Sequence, residues 1–394
     1  MSIMSIMSIK LTTLLPFATA FLVATLLGLL FLHPQFFGQN DLIGIWSAQH
    51  LFLTGGNPYS QEELLATKLA ENPQLPAILP IWNPPLLFVT LGAFASFTPQ
   101  ETVLAITLLR AVCATILAMV GFALGGQRTP SALTACLIVA CTPAYCAEAA
   151  IGQYSSFVCA SFAIGYLLFS KKLDFWAGFT LLATMLKPHD VAIPAILLAY
   201  RVATERRWSV LVGALTALVI SVVALEVIRP GIHSLWIYRE VWPAHVFGST
   251  LPSAIRSTIL STLGFTPWWP LIVGPLLGIA CLYGAIQRFG LSSRDHSTMM
   301  LAIGLNTIFS PYGFLFDQCI LIVALAYYFS ILTQESPRTA NKVLIIFTVS
   351  VWTALYSVLN SWTFAGRSFW FVFSGCTVAA IFSTEAWLHR KKTT

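Results

Sequence analysis

The stretch DFWAGFTLLATMLKPHDVAIPAILLAYRVA, residues 174–203, sets two apolar runs of about a dozen residues around Lys187, Pro188, His189 and Asp190. Crossing a bilayer takes about 20 apolar residues. Neither run is long enough alone, and Pro188 breaks the helix between them. A lysine, a histidine and an aspartate at a broken helix cost several kcal/mol in hydrocarbon unless they line a polar cavity. The stretch predicts one compound span whose ionisable cluster faces such a cavity. The plainer reading is a lysine that snorkels to the interface. A cation at this depth has the chemistry to hold the phosphate of a lipid head group.

The rest of the chain agrees with a membrane reading. Of its 394 residues, 57% are hydrophobic and 9% charged, against about 25% charged in soluble domains. The apolar residues fill whole windows rather than one face, and the runs are too continuous for barrel strands. The predicted fold class is all-α, a single polytopic membrane domain over residues 1–394. The formal net charge is +6. Lysine and arginine gather at 171–172, 201–207, 288–294, 338–342 and 390–392, the pattern expected of loops on the cytoplasmic side. Both termini are expected on that side, in a multi-pass protein of the plasma membrane. No basic stripe is interleaved with stacking aromatics, which argues against nucleic acid. The eight cysteines lie in apolar surroundings without a CxxC pair, so they read as small core hydrophobes.

Expected spans are 11–32, 83–97, 102–124, 131–147, 155–170, 174–203, 208–228, 268–287, 297–309, 314–332, 343–362 and 368–388, about 10–12 in all. The first reads as an uncleaved anchor. TPQE at 98–101 carries a helix start, with Thr98 as N-cap, Pro99 first and Glu101 third. The segments 33–80 and 229–267 read as long extracytoplasmic loops. One conflict stands in the sequence: two ordinary crossings at 83–97 and 102–124 would put Arg128 outside, so one early segment is expected to be re-entrant or interfacial. No nucleotide-binding loop or soluble catalytic domain is visible.

The outer segments hold the polar residues that targeting does not explain. Asp41, in GQNDLIGIWSAQHLFLTGGNPYS (38–60), reads either as a helix cap or as a general base at the membrane surface. Tyr59 follows a Gly-Gly-Asn-Pro turn and reads as an interface aromatic. Asn83 stands before Pro84-Pro85 at headgroup level. In SPYGFLFDQ (310–318), Ser310-Pro311 can start a helix, with Asp317 about two turns in. Asp317 needs a partner, for which Arg256, Lys187 and Arg367 are available. Gln153, in IGQYSSF with Glu148 just before it, is a weak signal alone.

In their order these motifs resemble glycosyltransferase family 87, the polyprenyl-phosphate-mannose-dependent mannosyltransferases of GT-C type. NDLIGIWSAQHLFLTGGNPYS resembles the family's Asp-x-x-x-(Phe/Trp)-x-x-Ala…Gly-x-x-Pro-Tyr stretch, and WNPPLLF its Tyr-Pro-Pro-x-x-Phe. GQYSSF through MLKPHDVAIP to ERRW is similar to its Gly-Gln-Asn…Lys-Pro-(Gln/His)…Arg-Arg-Trp block. LPSAIRSTILSTLGF resembles its Ser-(Val/Ala)-x-x-x-Arg stretch, and SPYGFLFDQCIL its Ser-Pro-Tyr…Asp block. The resemblance covers about 41–325. Departures are Tyr154 for the asparagine of Gly-Gln-Asn, Asn83 for the tyrosine of Tyr-Pro-Pro, and Phe316 where some members carry histidine.

The resemblance implies a GT-C fold and a lipid-linked sugar donor used at the outer leaflet. Asp41 would take the proton of an acceptor hydroxyl, and the anomeric centre would invert. The donor would be a polyprenyl-phosphate hexose, mannose first, and the acceptor an envelope glycan or glycolipid. Substrate binding would fall to Lys187, His189, Gln153, Arg256, Asp317, Tyr59 and Asn83. Lys187 and Arg256 could balance the leaving phosphate, so no cofactor is called for, and the sequence shows no acidic cluster to bind a metal. A transporter or flippase of lipid-linked sugars shares broken helices and intramembrane charges. An envelope glycan polymerase or ligase would use a diphosphate donor.

Overall fold

Helices here arise where apolar runs are uninterrupted, and they end where proline, glycine or a capping residue intervenes. The computed structural model describes residues 11–30, 41–71, 81, 83–127, 130–140, 143–239, 250–265, 267–311, 315–338, 340, 379–386 and 388. Among these residues the chain is all-helical, with no strand. The expected span 343–362, most of 368–388, and Trp82, Arg128 and Arg367 lie outside the described residues.

The first helix, α1 (Leu11–Leu30), is followed by α2 (Asp41–Thr54) and α3 (Gln61–Glu71). The long segment 33–80 therefore carries two helices, the first starting at Asp41, where the capping reading put a helix start. Most of α2 is buried, from Leu42 through Gln49, because its sequence is apolar on every side. The expected span at 83–97 is instead a five-residue helix, α4 (Leu86–Thr90), and a 3-10 turn, Gly92–Ser96. At 1.5 Å per residue α4 is about 7.5 Å long, too short to cross. Of the two early segments in conflict, 83–97 is thus the one whose helix is too short to cross.

That helix, α5 (Pro99–Leu124), begins with the capping box read in TPQE. Thr98 Oγ1 accepts from Glu101 N at 3.3 Å, and Glu101 Oε2 accepts from Thr98 N at 2.8 Å. The expected span 131–147 divides into α6 (Ala132–Ala140) and α7 (Pro143–Ile151). Next come α8 (Ser155–Ser170) and α9 (Asp174–Leu181). The predicted compound span continues through two 3-10 turns, Leu182–Leu186 and Pro188–Val191, into α10 (Ala192–Thr204), broken at Lys187. Beyond it lie α11 (Ser209–Ile228), α12 (Ile232–Ile237), α13 (Leu251–Leu263), α14 (Pro270–Phe289) and α15 (His296–Phe309). A 3-10 turn, Leu315–Gln318, leads into α16 (Leu321–Glu335). The second outer segment, 229–267, thus also holds helices, α12 and α13.

Among the described residues three helices, α5, α11 and α14, are long and apolar enough to cross a membrane. Leu211, Leu215 and Val219 of α11 are each more than half exposed, an apolar surface suited to hydrocarbon rather than water. Helix α11 lies against α9 at backbone distance. A Cβ on Gly178 would strike the carbonyl of Val210, and one on Gly213 the carbonyl of Phe175. Small residues at such a seam let two helices approach where no hydrophobic force drives them together.

The long helices run between two chemically different ends. At one end the basic loops meet: Arg207 pairs with Asp174, Arg201 Nε lies 3.2 Å from Glu205, and Arg294 Nε lies 3.5 Å from the same carboxylate. Tyr166 and His296 are hydrogen-bonded there at 2.8 Å. At the other end Trp46 Nε1 donates to Phe97 O at 2.9 Å and Arg229 Nη2 to Gly56 O at 3.0 Å. Helix α8, of 16 residues, separates the two ends by about 24 Å.

Candidate functional site

The turn between α7 and α8, residues 152–156, is where the candidate residues converge. It closes α7 with Gly152 at φ +88°, a backbone state that only glycine adopts without cost. The next four residues tie the turn to several distant parts of the chain. Gln153 Nε2 donates to Asp41 Oδ2, and its carbonyl accepts from Arg110 Nε at 2.6 Å. The ring of Tyr154 lies 5.2 Å from Lys187 Nζ. Ser155 Oγ accepts from Lys187 Nζ at 2.9 Å and donates to Asp317 Oδ1 at 2.9 Å. Ser156 donates from N and Oγ to Glu148 Oε1 at 2.8 and 2.9 Å.

Lys187 and Asp317 form a direct ion pair of 2.9 Å, and both are buried. Lys187 is therefore a partner of Asp317, as the sequence allowed. Ser310 caps the C-terminal end of α15. Asp317 lies in the 3-10 turn before α16 rather than two turns inside it, because the helix resumes only at Leu321. The charge thus sits at a helix break, where backbone and side-chain donors are available, not on a lipid-facing turn.

The second wall of the site is the turn Pro188–Val191. His189 Nε2 lies 3.1 Å from Asp190 Oδ1 and 3.4 Å from Asp317 Oδ2. A broken helix leaves backbone groups without their usual partners, and α15 supplies them. Asn306 Nδ2 donates to His189 O at 3.1 Å and Asp190 O at 2.9 Å, and its Oδ1 accepts from Ile193 N at 3.0 Å. Ser310 Oγ donates to His189 O at 2.6 Å. His189, Asp190 and Asp317 each place a potential metal ligand atom within 4.8 Å of the others. The sequence shows no such cluster, because Asp317 comes from a distant turn; the structure corrects that reading.

Asp41 is the first residue of α2. Burial raises its pKa from the ordinary carboxylate value to about 6, against the lowering effects of the Gln153 hydrogen bond and of the Lys187 and Lys68 charges. Its carboxylate is close enough to feel Asp317 as well, which raises it. Asp41, Lys187 and Asp317 thus share one electrostatic neighbourhood, although no hydrogen bond among the described residues joins Asp41 directly to the other two.

Tyr59 and Asn83 form the outer rim. Tyr59 Oη donates to Asn83 O at 3.0 Å, and Asn83 Nδ2 reaches Leu186 O at 3.5 Å, beside Lys187. Burial pushes the Tyr59 hydroxyl well above the ordinary phenol range, so it acts as a neutral donor. On the far side of Tyr59 is a cavity of about 200 Å³ bordered by Asn57, Ser60, Ser234, Tyr238 and Arg239. Arg256 is buried on α13, but no hydrogen bond or ion pair among the described residues connects it to Asp41, Lys187 or Asp317.

Several residues of the site escape a sequence reading. Arg110 is 1% exposed in the middle of α5. An arginine inside an apolar helix was the available signal, and its contact with Gln153 O shows what it holds. Lys68 is 3% exposed on α3 and couples to Asp41. Ser155, Ser156 and Asn306 look like ordinary helix polar residues until the distant segments they bond are in view.

No family model matches the chain, and no curated protein or solved structure matches it either.

Proposed function

We propose that the protein is a polytopic membrane glycosyltransferase of GT-C type, with about 10–12 spans. It would move a hexose, mannose first, from a polyprenyl-phosphate donor to an envelope glycan or glycolipid at the outer face of the plasma membrane. The observation that carries this reading is the 152–156 turn. It fixes a carboxylate of raised pKa, Asp41, beside a buried ammonium, Lys187. It does so at the end of α8 opposite Lys171 and Lys172. The basic end then faces the cytoplasm, and the site faces the leaflet that carries envelope donors.

The chemistry balances with the residues present. The acceptor hydroxyl oxygen attacks the anomeric carbon as its proton passes to Asp41. The bond between the anomeric carbon and the phosphate oxygen breaks, and its electron pair stays on the phosphate. Attack and departure on opposite faces invert the centre. Lys187 stabilises the charge that builds on the leaving oxygen. Gln153 holds the Asp41 carboxylate in place, and a positioned base of pKa near 6 is well matched to neutral pH. The cavity beyond Tyr59 gives the acceptor a polar, aromatic-edged approach.

The broken helix at Lys187 also favours a second reading, a carrier or flippase of the same lipid. Purified protein in lipid vesicles, given radiolabelled polyprenyl-phosphate-mannose and a panel of acceptors, separates the two. A new glycosidic product supports the transferase. Label crossing the bilayer without one supports the carrier. Product from a diphosphate donor alone points to a polymerase or ligase.

A further inference from the structure

We propose that His189, Asp190 and Asp317 bind one first-row divalent cation, Mn²⁺ or Zn²⁺, at the helix break beside Lys187. The first argument is geometric. The edges of the cluster are 3.1 Å from His189 Nε2 to Asp190 Oδ1 and 3.4 Å to Asp317 Oδ2, with the whole set inside 4.8 Å. An ion with bonds of about 2.1 Å holds neighbouring ligands about 3.0 Å apart at right angles and about 3.4 Å apart in a tetrahedron. The two edges that meet at His189 Nε2 therefore match the ligand spacing of a coordination shell.

The second argument is the state of Asp190. It is 1% exposed, and its two donors, the Ser155 hydroxyl and His189 Nε2, are both shared with Asp317, so neither of its oxygens has a well-directed hydrogen bond of its own. One imidazole nitrogen carries at most one proton and cannot satisfy the two carboxylates that flank it. A buried carboxylate short of donors is costly to a fold. A cation at this point removes that cost. Lys187 does not compete for the position, since it bonds Asp317 through Oδ1 while the cluster uses Oδ2.

The frame is also fixed in advance. Asn306 and Ser310 hold the backbone of His189 and Asp190 from α15, so the ligands need not be gathered on binding. One imidazole with two carboxylates suits first-row dications better than Mg²⁺ or Ca²⁺, which favour all-oxygen shells. The charge balance gives a role, and this clause alone rests on the transferase reading. Lys187 is paired with Asp317 and faces Asp190 as well, and a dication beside it would add to the positive charge that Lys187 offers the leaving phosphate.

The test is metal content, which does not depend on catalysis. The full chain in detergent is stripped with chelator, dialysed against Mn²⁺ or Zn²⁺, and analysed for bound metal. About one ion per chain is expected, with the Mn²⁺ spin-echo signal showing one coupled imidazole nitrogen. Asp190→Asn and His189→Gln should each weaken binding about tenfold or more. The ion should raise the thermal midpoint of the wild type and not that of Asp190→Asn. No ion above the detergent blank in the wild type overturns the proposal, whether or not the variants fold. So does undiminished binding in both variants. A wild type that binds the ion but transfers no sugar would sink the transferase reading and leave the site standing. Transfer by a protein that takes up no ion would sink the site alone.

Discussion

Gln153 donates its side-chain amide to the carboxylate of Asp41, 112 residues earlier in the chain. The same glutamine receives Arg110 on its carbonyl, and its neighbour Ser155 receives Lys187. A single turn thus sets the distance between the carboxylate and the ammonium that the proposed transfer needs.

The pH profile follows from Asp41. Burial lifts its pKa to about 6, and a general base must be unprotonated to act. The ratio kcat/KM should fall tenfold for each pH unit below about 6 and level off above it. The stability linkage has the opposite sense. A carboxyl group raised on folding contributes stability in full below its unfolded pKa, and that contribution is lost as pH rises through about 6. Thermal midpoints in detergent between pH 4 and 8 should therefore show an Asp41 component that declines upward and is absent in Asp41→Asn.

Gln153→Leu tests positioning apart from proton transfer. Its amide favours the charged form of Asp41, so its loss should move the acid limb of the kcat/KM profile to higher pH. A residue with only a packing role would lower the rate without moving that limb.

Lys187 and Asp317 should behave as a buried pair. Lys187→Met alone leaves Asp317 uncompensated and should cost about 3–5 kcal/mol of stability, whereas Lys187→Met with Asp317→Leu should cost much less. A double-mutant cycle on unfolding in detergent measures the difference. Equal losses in the single and double variants would contradict the pairing.

Much of this architecture is legible in the chain. The capping box at Thr98 and Glu101 and the helix break at Lys187 follow from local chemistry, and the structure has them. Lys187 stood among the named partners of Asp317. Other features need the third dimension. The helix start at Asp41 is legible, but not the burial of α2, whose apolar faces are covered by α3 and the 92–96 turn. Segment 83–97 has the composition of a span, but Pro84, Pro85 and Gly92 keep its helix short. Asn306 and Ser155 carry no periodic signal, since what they satisfy is backbone and charge set free by breaks more than 100 residues away.

The α9–α11 seam yields a matched pair of substitutions. Gly178→Ala drives a methyl into the Val210 carbonyl, whereas nothing lies within 4 Å of a Cβ on Gly284 in α14. Gly178→Ala should lower the thermal midpoint clearly. Gly284→Ala should leave it unchanged or raise stability by about 0.5–1 kcal/mol, the helix preference for alanine.

The most direct test of the central claim is sugar transfer by purified wild type and Asp41→Asn, side by side, from labelled polyprenyl-phosphate-mannose to an acceptor in lipid vesicles. The account predicts an inverted glycosidic product from the wild type. It predicts a rate about 10²–10⁴-fold lower from Asp41→Asn, at an unchanged yield of folded protein. A folded Asp41→Asn that forms product at the wild-type rate would contradict it.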